Sequence, residues 1–231
     1  MGRARTDFQM RMQEVDEYFA LIKILDQTNP VLHYEEEATS LPRQQMVSMD
    51  LIRILKSSAY LLLYNVMEAA IKNCLNQVFE SIRAENLSYA DVAETMRNIW
   101  ASQQMTRYRD ATDETLRTRM KSIADSIIDK ALIDLKDSIT RVPGNIDAKA
   151  IREFASEYGF AEVPQSDTRG DCLKTIKDAR NNLAHGDLTF VECSRNLPVP
   201  MLVKYRNDVE HYLNHVISNV DAYIVSRGYA I

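Results

Sequence analysis

The stretch LKSSAYLLLYNVMEAAIKNCL, residues 55–75, decides the fold of this chain. Between residues 60 and 67 it is apolar on nearly every side, which is typical of a helix that is packed all round. Ser48 is a good N-cap upstream, and the helical pattern runs to about Glu85, so we predict a helix of about 35 residues. A helix this long and this apolar indicates a central element against which the rest of the chain packs.

Segments on both sides of this central helix also have the apolar spacing of helices. Apolar residues recur every three or four positions over residues 5–28, where Thr6 is a candidate N-cap. The same spacing predicts a last helix from about Met201 to Arg227. Further helices are predicted at about residues 88–104, 113–139, 147–158 and 171–185.

Two segments lack this spacing. Residues 29–47 are polar, contain Pro30 and Pro42, and are predicted to form a loop. Residues 187–200, DLTFVECSRNLPVP, are predicted to hold a brief extended piece. We therefore predict an all-α fold in a single domain covering residues 1–231. It is a bundle of about six to seven helices around one long central helix, with a helical core over residues 48–227.

The composition is that of an ordinary globular protein and excludes several classes. The chain has 45% hydrophobic and 26% charged residues and a formal net charge of −5. A net negative charge argues against non-specific duplex binding through bulk charge, although it leaves room for a local basic track. No apolar run approaches 18 residues, and the N-terminus has no apolar signal region, so we expect a cytoplasmic protein without a membrane partner.

The residue types that bind metals do not form a convincing site. Cys74, Cys172 and Cys193 are odd in number and form no CxxC pair, and the first two fall on apolar helical positions as buried thiols would. His211 and His215 have the i,i+4 spacing of a two-histidine site, but exposed or packing histidines explain them better. We expect no metal and no cofactor.

The chemistry-bearing stretch is KDARNNLAHG, residues 177–186, at the end of an amphipathic helix that Gly186 stops. Arg180 falls within the apolar arc of that helix, where a long cation needs a partner. His185 lies roughly 140° around the axis from Arg180, so one straight helix does not bring the two side chains together. In the simplest structural explanation, Arg180 pairs with a carboxylate and His185 caps the helix dipole.

The same stretch also contains what metal-free RNA cleavage requires. A guanidinium stabilises negative charge on a phosphate, and an imidazole transfers protons near neutral pH. Asn181 precedes His185 by four residues and can orient the imidazole or contact a substrate. Lys174 and Lys177 border the same polar side and are candidate RNA contacts.

The central helix offers a supporting pair, Tyr64 and Glu68, with Glu68 at a position whose neighbours are apolar. In a functional interpretation Glu68 meets Arg180 or His185 and fixes charge and tautomer. In a structural interpretation it forms an exposed i,i+4 pair with Lys72. The sequence leaves both open.

A second cationic segment follows at residues 107–121. Its arginines, with Tyr108 among them, could form a phosphate track, but interspersed acidic residues favour a solvated charged face. The candidate RNA contacts here are Arg107, Arg109, Arg117 and Arg119.

Taken with the long helix upstream and the helix VEHYLNHVISNVDAYI downstream, the KDARNNLAHG stretch resembles the HEPN superfamily. The likeness covers most of residues 8–226 and is strongest with stand-alone bacterial HEPN proteins of the ribonuclease type. The resemblance implies that the Arg180 and His185 side chains of two subunits line one cleft of a homodimer. It also implies a toxin or phage-defence effector, with an antitoxin or defence partner protein.

The resemblance implies a metal-independent endoribonuclease. His185 would take the proton of a ribose 2′-OH, or supply one as the acid, and Arg180 would stabilise the phosphorane, with Asn181 positioning one of them. The products would be a 2′,3′-cyclic phosphate and a 5′-OH. Some HEPN toxins carry a modifiable tyrosine two residues after the histidine; here Asp187 occupies that place and could interact with His185. The alternative is a non-catalytic HEPN dimer that serves as a protein- or nucleotide-binding scaffold.

Overall fold

The fold was analysed in a computed structural model, which describes residues 2–27, 30–36, 41–105, 112–135 and 144–231. The central helix predicted from the sequence is present as α2, Met49–Ala84, and the Ser48 hydroxyl accepts its first backbone bond from Leu51 N at 3.2 Å. In its middle section Leu63, Tyr64 and Met67 are buried, whereas Leu62 is half-buried and Asn65 is exposed. The prediction of a long central helix is confirmed, but the prediction that it is packed all round is wrong, because the face that carries Asn65 and Lys72 is exposed.

Two further long helices cover α2. Helix α1, Arg3–Leu25, begins earlier than predicted, with Gly2 and not Thr6 at its N-cap. Helix α8, Val199–Val225, ends close to the predicted place. An ion pair of 2.9 Å between Arg5 and Asp221 joins α1 to α8. The buried apolar side chains of all three helices belong to one continuous core that runs from Ala4 to Tyr229.

The predicted loop at residues 29–47 is wrong in part, because it contains an antiparallel hairpin. Strand β1, Val31–Glu35, pairs with strand β2, Pro42–Met46, and Val31 lies opposite Met46. Every residue of both strands is exposed. Pro42 lies at the start of its strand, a position where the missing N–H costs little.

Helices α3, Glu94–Met105, and α4, Asp113–Ile128, are shorter than predicted. Helix α3 starts late because the Asp91 carboxylate accepts bonds from the Ser88 N–H and hydroxyl at 2.9 and 2.6 Å, which closes a turn in place of a helix N-terminus. Helix α4 ends early at a turn in which Lys130 has a left-handed φ of +51°. The rest of the predicted 113–139 helix beyond residue 135 lies outside the described residues.

Three α-helices form the part of the chain that contains the motif. Helix α5, Ala148–Tyr158, ends at Gly159 with φ +85°, and α6, Asp171–His185, ends at Gly186 with φ +79°, as predicted. The predicted extended piece after the motif is wrong, since the chain forms a short helix, α7, Phe190–Cys193. A capping box between Thr189 and Glu192 explains α7, because each side chain bonds the backbone of the other.

The described residues thus contain eight α-helices and one small hairpin, and the predicted all-α fold is confirmed. None of these helices combines the length and the apolar character needed to span a bilayer.

Candidate functional site

Helix α6 carries the KDARNNLAHG stretch and is fixed to the core by its first half. Cys172, Leu173 and Ile176 are buried, and the helix packs against α2 and α8. Its second half, from Lys177 to Leu183, is only half-buried, so the motif lies where the helix leaves the core. The fold therefore presents the motif at the protein surface on a rigid support.

The guanidinium of Arg180 is held on one face and at one nitrogen. Its Cζ lies 4.7 Å from the ring centroid of Tyr64, a cation–π contact. Its Nη1 donates to the Gly144 carbonyl at 3.3 Å and to Asn181 Oδ1 at 2.9 Å. Among the described residues, Nε and Nη2 have no acceptor. These two atoms form the edge with which an arginine binds two oxygens of one phosphate.

Tyr64 supports that cation from the central helix. The side chain is 2% exposed, and its hydroxyl accepts a bond from Ile146 N at 3.0 Å. Burial raises the pKa of Tyr64 above its ordinary value, against the lowering effects of the Ile146 hydrogen bond and the neighbouring Arg180. The phenol therefore stays protonated at neutral pH, and its ring face supports the guanidinium.

Asn181 forms a hydrogen bond with Arg180 and none with His185. Its Oδ1 accepts the Arg180 bond, while its Nδ2 donates to Asn145 Oδ1 at 2.7 Å. The prediction left open whether this amide serves the imidazole, the arginine or the substrate. In the structure both ends of the amide are used within the subunit, and one of them fixes Arg180.

The two predicted lysine contacts on α6 lie in ion pairs. Lys177 Nζ lies 2.6 Å from Asp147 Oδ2, with both side chains largely buried, and Lys174 makes an exposed i,i+4 pair with Asp178, also at 2.6 Å. Burial acts to raise the pKa of Asp147, but the Lys177 bond and backbone N–H groups outweigh it and lower the pKa. The same bond raises the pKa of Lys177. Lys177 is therefore a structural cation in this subunit.

His185 occupies the last position of α6 and is exposed. Within the parts of the chain that the structure describes, its imidazole makes no hydrogen bond and no ion pair. Asp187 therefore forms neither kind of bond with it. The Asp187 backbone N–H instead bonds the Asn182 carbonyl at 2.9 Å, as part of the helix end. Five residues of helix separate His185 from Arg180 by about 7.5 Å along the axis. A single subunit thus leaves both groups accessible without joining them.

Glu68 follows neither of the two interpretations offered for it. It is half-buried, and it makes no ion pair with Lys72, Arg180 or His185 in the described structure. Its charge acts on Tyr64, whose pKa it helps to raise.

The second cationic segment is only partly described, since Arg107 and Arg109 lie outside the described residues. Arg117 is exposed on α4. Arg119 lines a cavity of about 250 Å³ together with Tyr89 and Trp100, to which no residue of α6 contributes.

Residues 144–147 join the site, although the sequence placed only Asp147, at the start of a predicted helix. Each of the four contacts α6 or α2 through a hydrogen bond. The only sequence signal was Asp147, a good N-cap for α5, which indicated an ordered start to that helix. No group of three or more histidine, cysteine or acidic residues in the described ranges is arranged to hold a metal ion.

The family of this chain is shown by its match to a protein-family profile. Residues 3–229 match the profile of the MAE_28990-like HEPN family, which is nearly the whole chain. The chain belongs to this HEPN family. Neither a comparison with curated proteins nor one with solved structures gave a match.

Membership of the HEPN family associates the chain with ribonuclease-like activity or with a role as a HEPN dimer. In this HEPN protein the motif arginine and histidine are both present, and Arg180 is held at Nη1 with no acceptor for Nε or Nη2 among the described residues.

Proposed function

We propose that this HEPN protein is a metal-independent endoribonuclease that acts as a homodimer. The observation that carries the proposal is the state of Arg180: its Nη1 and one ring face are held by Asn181, Gly144 and Tyr64, while its Nε–Nη2 edge is left without an acceptor among the described residues. A guanidinium fixed in advance loses little freedom when it binds an anion, which favours a role in recognising phosphate.

In the proposed reaction RNA supplies its own nucleophile. His185 in its neutral form accepts the proton of a ribose 2′-OH, and the oxygen attacks the adjacent phosphorus. The bond to the 5′-oxygen breaks, and that oxygen takes a proton from a second imidazole acting as acid. Arg180 donates two hydrogen bonds to the non-bridging oxygens as their charge increases. The products are a 2′,3′-cyclic phosphate and a 5′-OH, and no cofactor takes part.

A second subunit is needed in this proposal, because one chain keeps His185 apart from Arg180 and provides only one imidazole. Exposed apolar side chains follow His185 closely in the chain, Leu188 and Phe190, and α2, which packs against α7, exposes Ile54. Ile54 belongs to the part of α2 that lies beside α7. There the Arg53 carbonyl accepts a bond from the Ser194 hydroxyl at 2.7 Å, and the Ser57 hydroxyl donates to the Phe190 carbonyl at 2.5 Å. This surface suits a symmetric contact that places two copies of the motif in one cleft.

The biological setting that we propose is a toxin or phage-defence effector, restrained by an antitoxin or defence partner protein. A ribonuclease whose phosphate-binding arginine is already in place needs restraint from outside the chain. The alternative is a non-catalytic HEPN dimer that binds a protein or a nucleotide. It is favoured by the engagement of Asn181 and Lys177 in structural bonds.

The test is cleavage of end-labelled RNA in EDTA by wild type, Arg180→Ala and His185→Ala. The matched controls are Arg3→Ala and His211→Ala, which remove an exposed arginine and an exposed histidine far along the chain from the motif. We expect cleavage with cyclic-phosphate ends in wild type and both controls, and its loss in both motif variants, while light scattering shows dimers for all five. Absence of cleavage in a dimeric wild type would favour the scaffold.

A further inference from the structure

The strap, which we define as residues 144–147, ties three elements together immediately before α5. Each of its four residues forms one hydrogen bond with a side chain of α2 or α6 that is at or near Arg180. The bonds run from Arg180 Nη1 to the Gly144 carbonyl (3.3 Å), from Asn181 Nδ2 to Asn145 Oδ1 (2.7 Å), from Ile146 N to the Tyr64 hydroxyl (3.0 Å) and from Lys177 Nζ to Asp147 Oδ2 (2.6 Å).

Three of these bonds act on the surroundings of one guanidinium. The Gly144 carbonyl accepts directly from Arg180. Asn145 holds the amide nitrogen of Asn181, and this fixes the orientation of the amide oxygen that accepts from Arg180. The Ile146 N–H bonds the hydroxyl of Tyr64, whose ring lies against the cation. The strap thus acts on Arg180 directly, through the neighbouring amide and through the ring.

The carboxyl-terminal end of the strap is firmly anchored. Ile146 is completely buried in the core. Asp147 caps α5 by accepting a bond from Ala150 N at 2.9 Å, and it pairs with Lys177 through its other oxygen. An anchor of this kind lets the two residues before it hold a side chain in one place.

We propose that the strap is the positioning element of the active site and that Asn145 is its positioning residue, acting on Arg180 through Asn181. This inference rests on the proposed ribonuclease function and adds a residue outside the motif helix. Asn145 does not contact the substrate in this scheme. It selects the amide rotamer of Asn181 that presents oxygen to Nη1 and leaves the Nε–Nη2 edge directed outward.

The test is a double-mutant cycle with Asn145→Ala, Asn181→Ala and the double variant. Loss of the Asn145 bond frees the amide, so we expect Asn145→Ala to lower kcat on the order of tenfold, because small errors in the placement of a catalytic group are costly. Since both residues act through one route, the double variant should cleave no more slowly than Asn181→Ala alone. Multiplied losses in the double variant would overturn the proposal.

Asn219→Ala is the matched control. Asn219 also fastens a loop to a helix with one side-chain bond, from Nδ2 to the Ala161 carbonyl at 2.8 Å, but it lies on α8. It should lose a similar amount of stability as Asn145→Ala and keep the wild-type kcat. If both variants slow cleavage equally, Asn145 has only a structural effect and the proposal fails.

Binding of a 2′-O-methyl RNA oligonucleotide, which cannot be cleaved, separates this inference from the proposed function. If wild type binds the oligonucleotide through Arg180 and Asn145→Ala weakens that binding, the strap positions Arg180 even where wild type does not cleave RNA. If wild type cleaves and Asn145→Ala matches it in both cleavage and binding, the positioning role is wrong and the nuclease stands. A wild type that neither cleaves nor binds overturns both.

Discussion

The guanidinium of Arg180, from the motif helix, lies over the ring of Tyr64, from the central helix, with 4.7 Å between Cζ and the ring centroid. Neither residue would have this environment without the other. The tyrosine face accommodates a cation inside an apolar arc, and the cation gives a surface role to a tyrosine that is otherwise buried. Through this pair, the central helix α2 supports the arginine of the candidate site.

Replacing Tyr64 separates the ring from the hydroxyl. Tyr64→Phe keeps the cation–π contact but leaves the buried Ile146 N–H without its acceptor, which costs about 1–3 kcal/mol of unfolding free energy. Tyr64→Leu also removes the ring face, and we expect it to slow RNA cleavage by about tenfold more than Tyr64→Phe does. Urea unfolding and single-turnover cleavage measure the two effects. Equal rates for the two variants would show that the ring does not support Arg180.

Arg180→Lys tests whether the guanidinium edge or only its charge matters. A lysine ammonium retains the charge but cannot offer two parallel donors, nor can it keep the Nη1 bonds in their present geometry. We expect a loss of cleavage rate on the order of a hundredfold with the dimer intact. The rate is measured in EDTA at saturating enzyme. A rate close to that of wild type would mean that a point charge is sufficient.

The Asp147–Lys177 pair predicts a defined pH dependence of stability. The folded-state pKa of Asp147 lies below its ordinary 3.8, so the unfolded chain binds more protons in acid, and the contribution is lost as pH falls through 3.8 towards the folded pKa. The pKa of Lys177 lies above 10.5, so its contribution is present below that value and is lost as pH rises through it.

Asp147→Asn removes the charge and keeps a good N-cap for α5. We expect it to lower the unfolding free energy by about 1–3 kcal/mol at neutral pH, because the bond joins two charged groups that are largely buried. The difference from wild type should shrink below about pH 4 and above about pH 10.5. Chemical unfolding across that range measures it, and a difference that stays constant into acid would contradict the assignment.

The three cysteines should react with a thiol reagent in a fixed order. Burial raises the pKa of Cys74 and of Cys172 to about 12, so both are protonated and inaccessible at pH 8. Burial also raises the pKa of Cys193, but this residue is only partly buried. We expect Cys193 to react first in the native protein and the other two only after unfolding. Mass spectrometry of the labelled peptides identifies the site, and early labelling of Cys74 would contradict the packing.

Sequence periodicity was sufficient to predict the long helices, because each of them has apolar residues at regular helical spacing. The cap at Ser48 and the stop at Gly186 depend on local chemistry, and both appear in the structure. The errors have local causes as well. A helix was predicted from about residue 88, yet Ser88 donates to Asp91 and forms a turn.

The candidate site was harder to predict because its geometry depends on contacts distant in sequence. The motif identified Arg180 and His185, but the periodicity of one helix could not show that Asn181 serves the arginine. Nor could it show that residues 144–147 bond both α2 and α6, since bonds over 30 to 80 positions leave no periodic trace. The exposed hairpin was missed for a different reason, since its strands have five residues each and no alternation of buried and exposed positions.

The order in which α2 and the helices packed on it are translated has a consequence for folding during synthesis. Helix α1 precedes α2 and can dock on it as soon as both have emerged from the ribosome, but α8, which also packs on α2 and contacts α6, is translated much later. Until then the nascent chain exposes an apolar flank that attracts chaperones. The motif helix meanwhile lacks part of its support. In the ribonuclease that we propose, the motif helix would therefore gain its full support only after α8 has been synthesised.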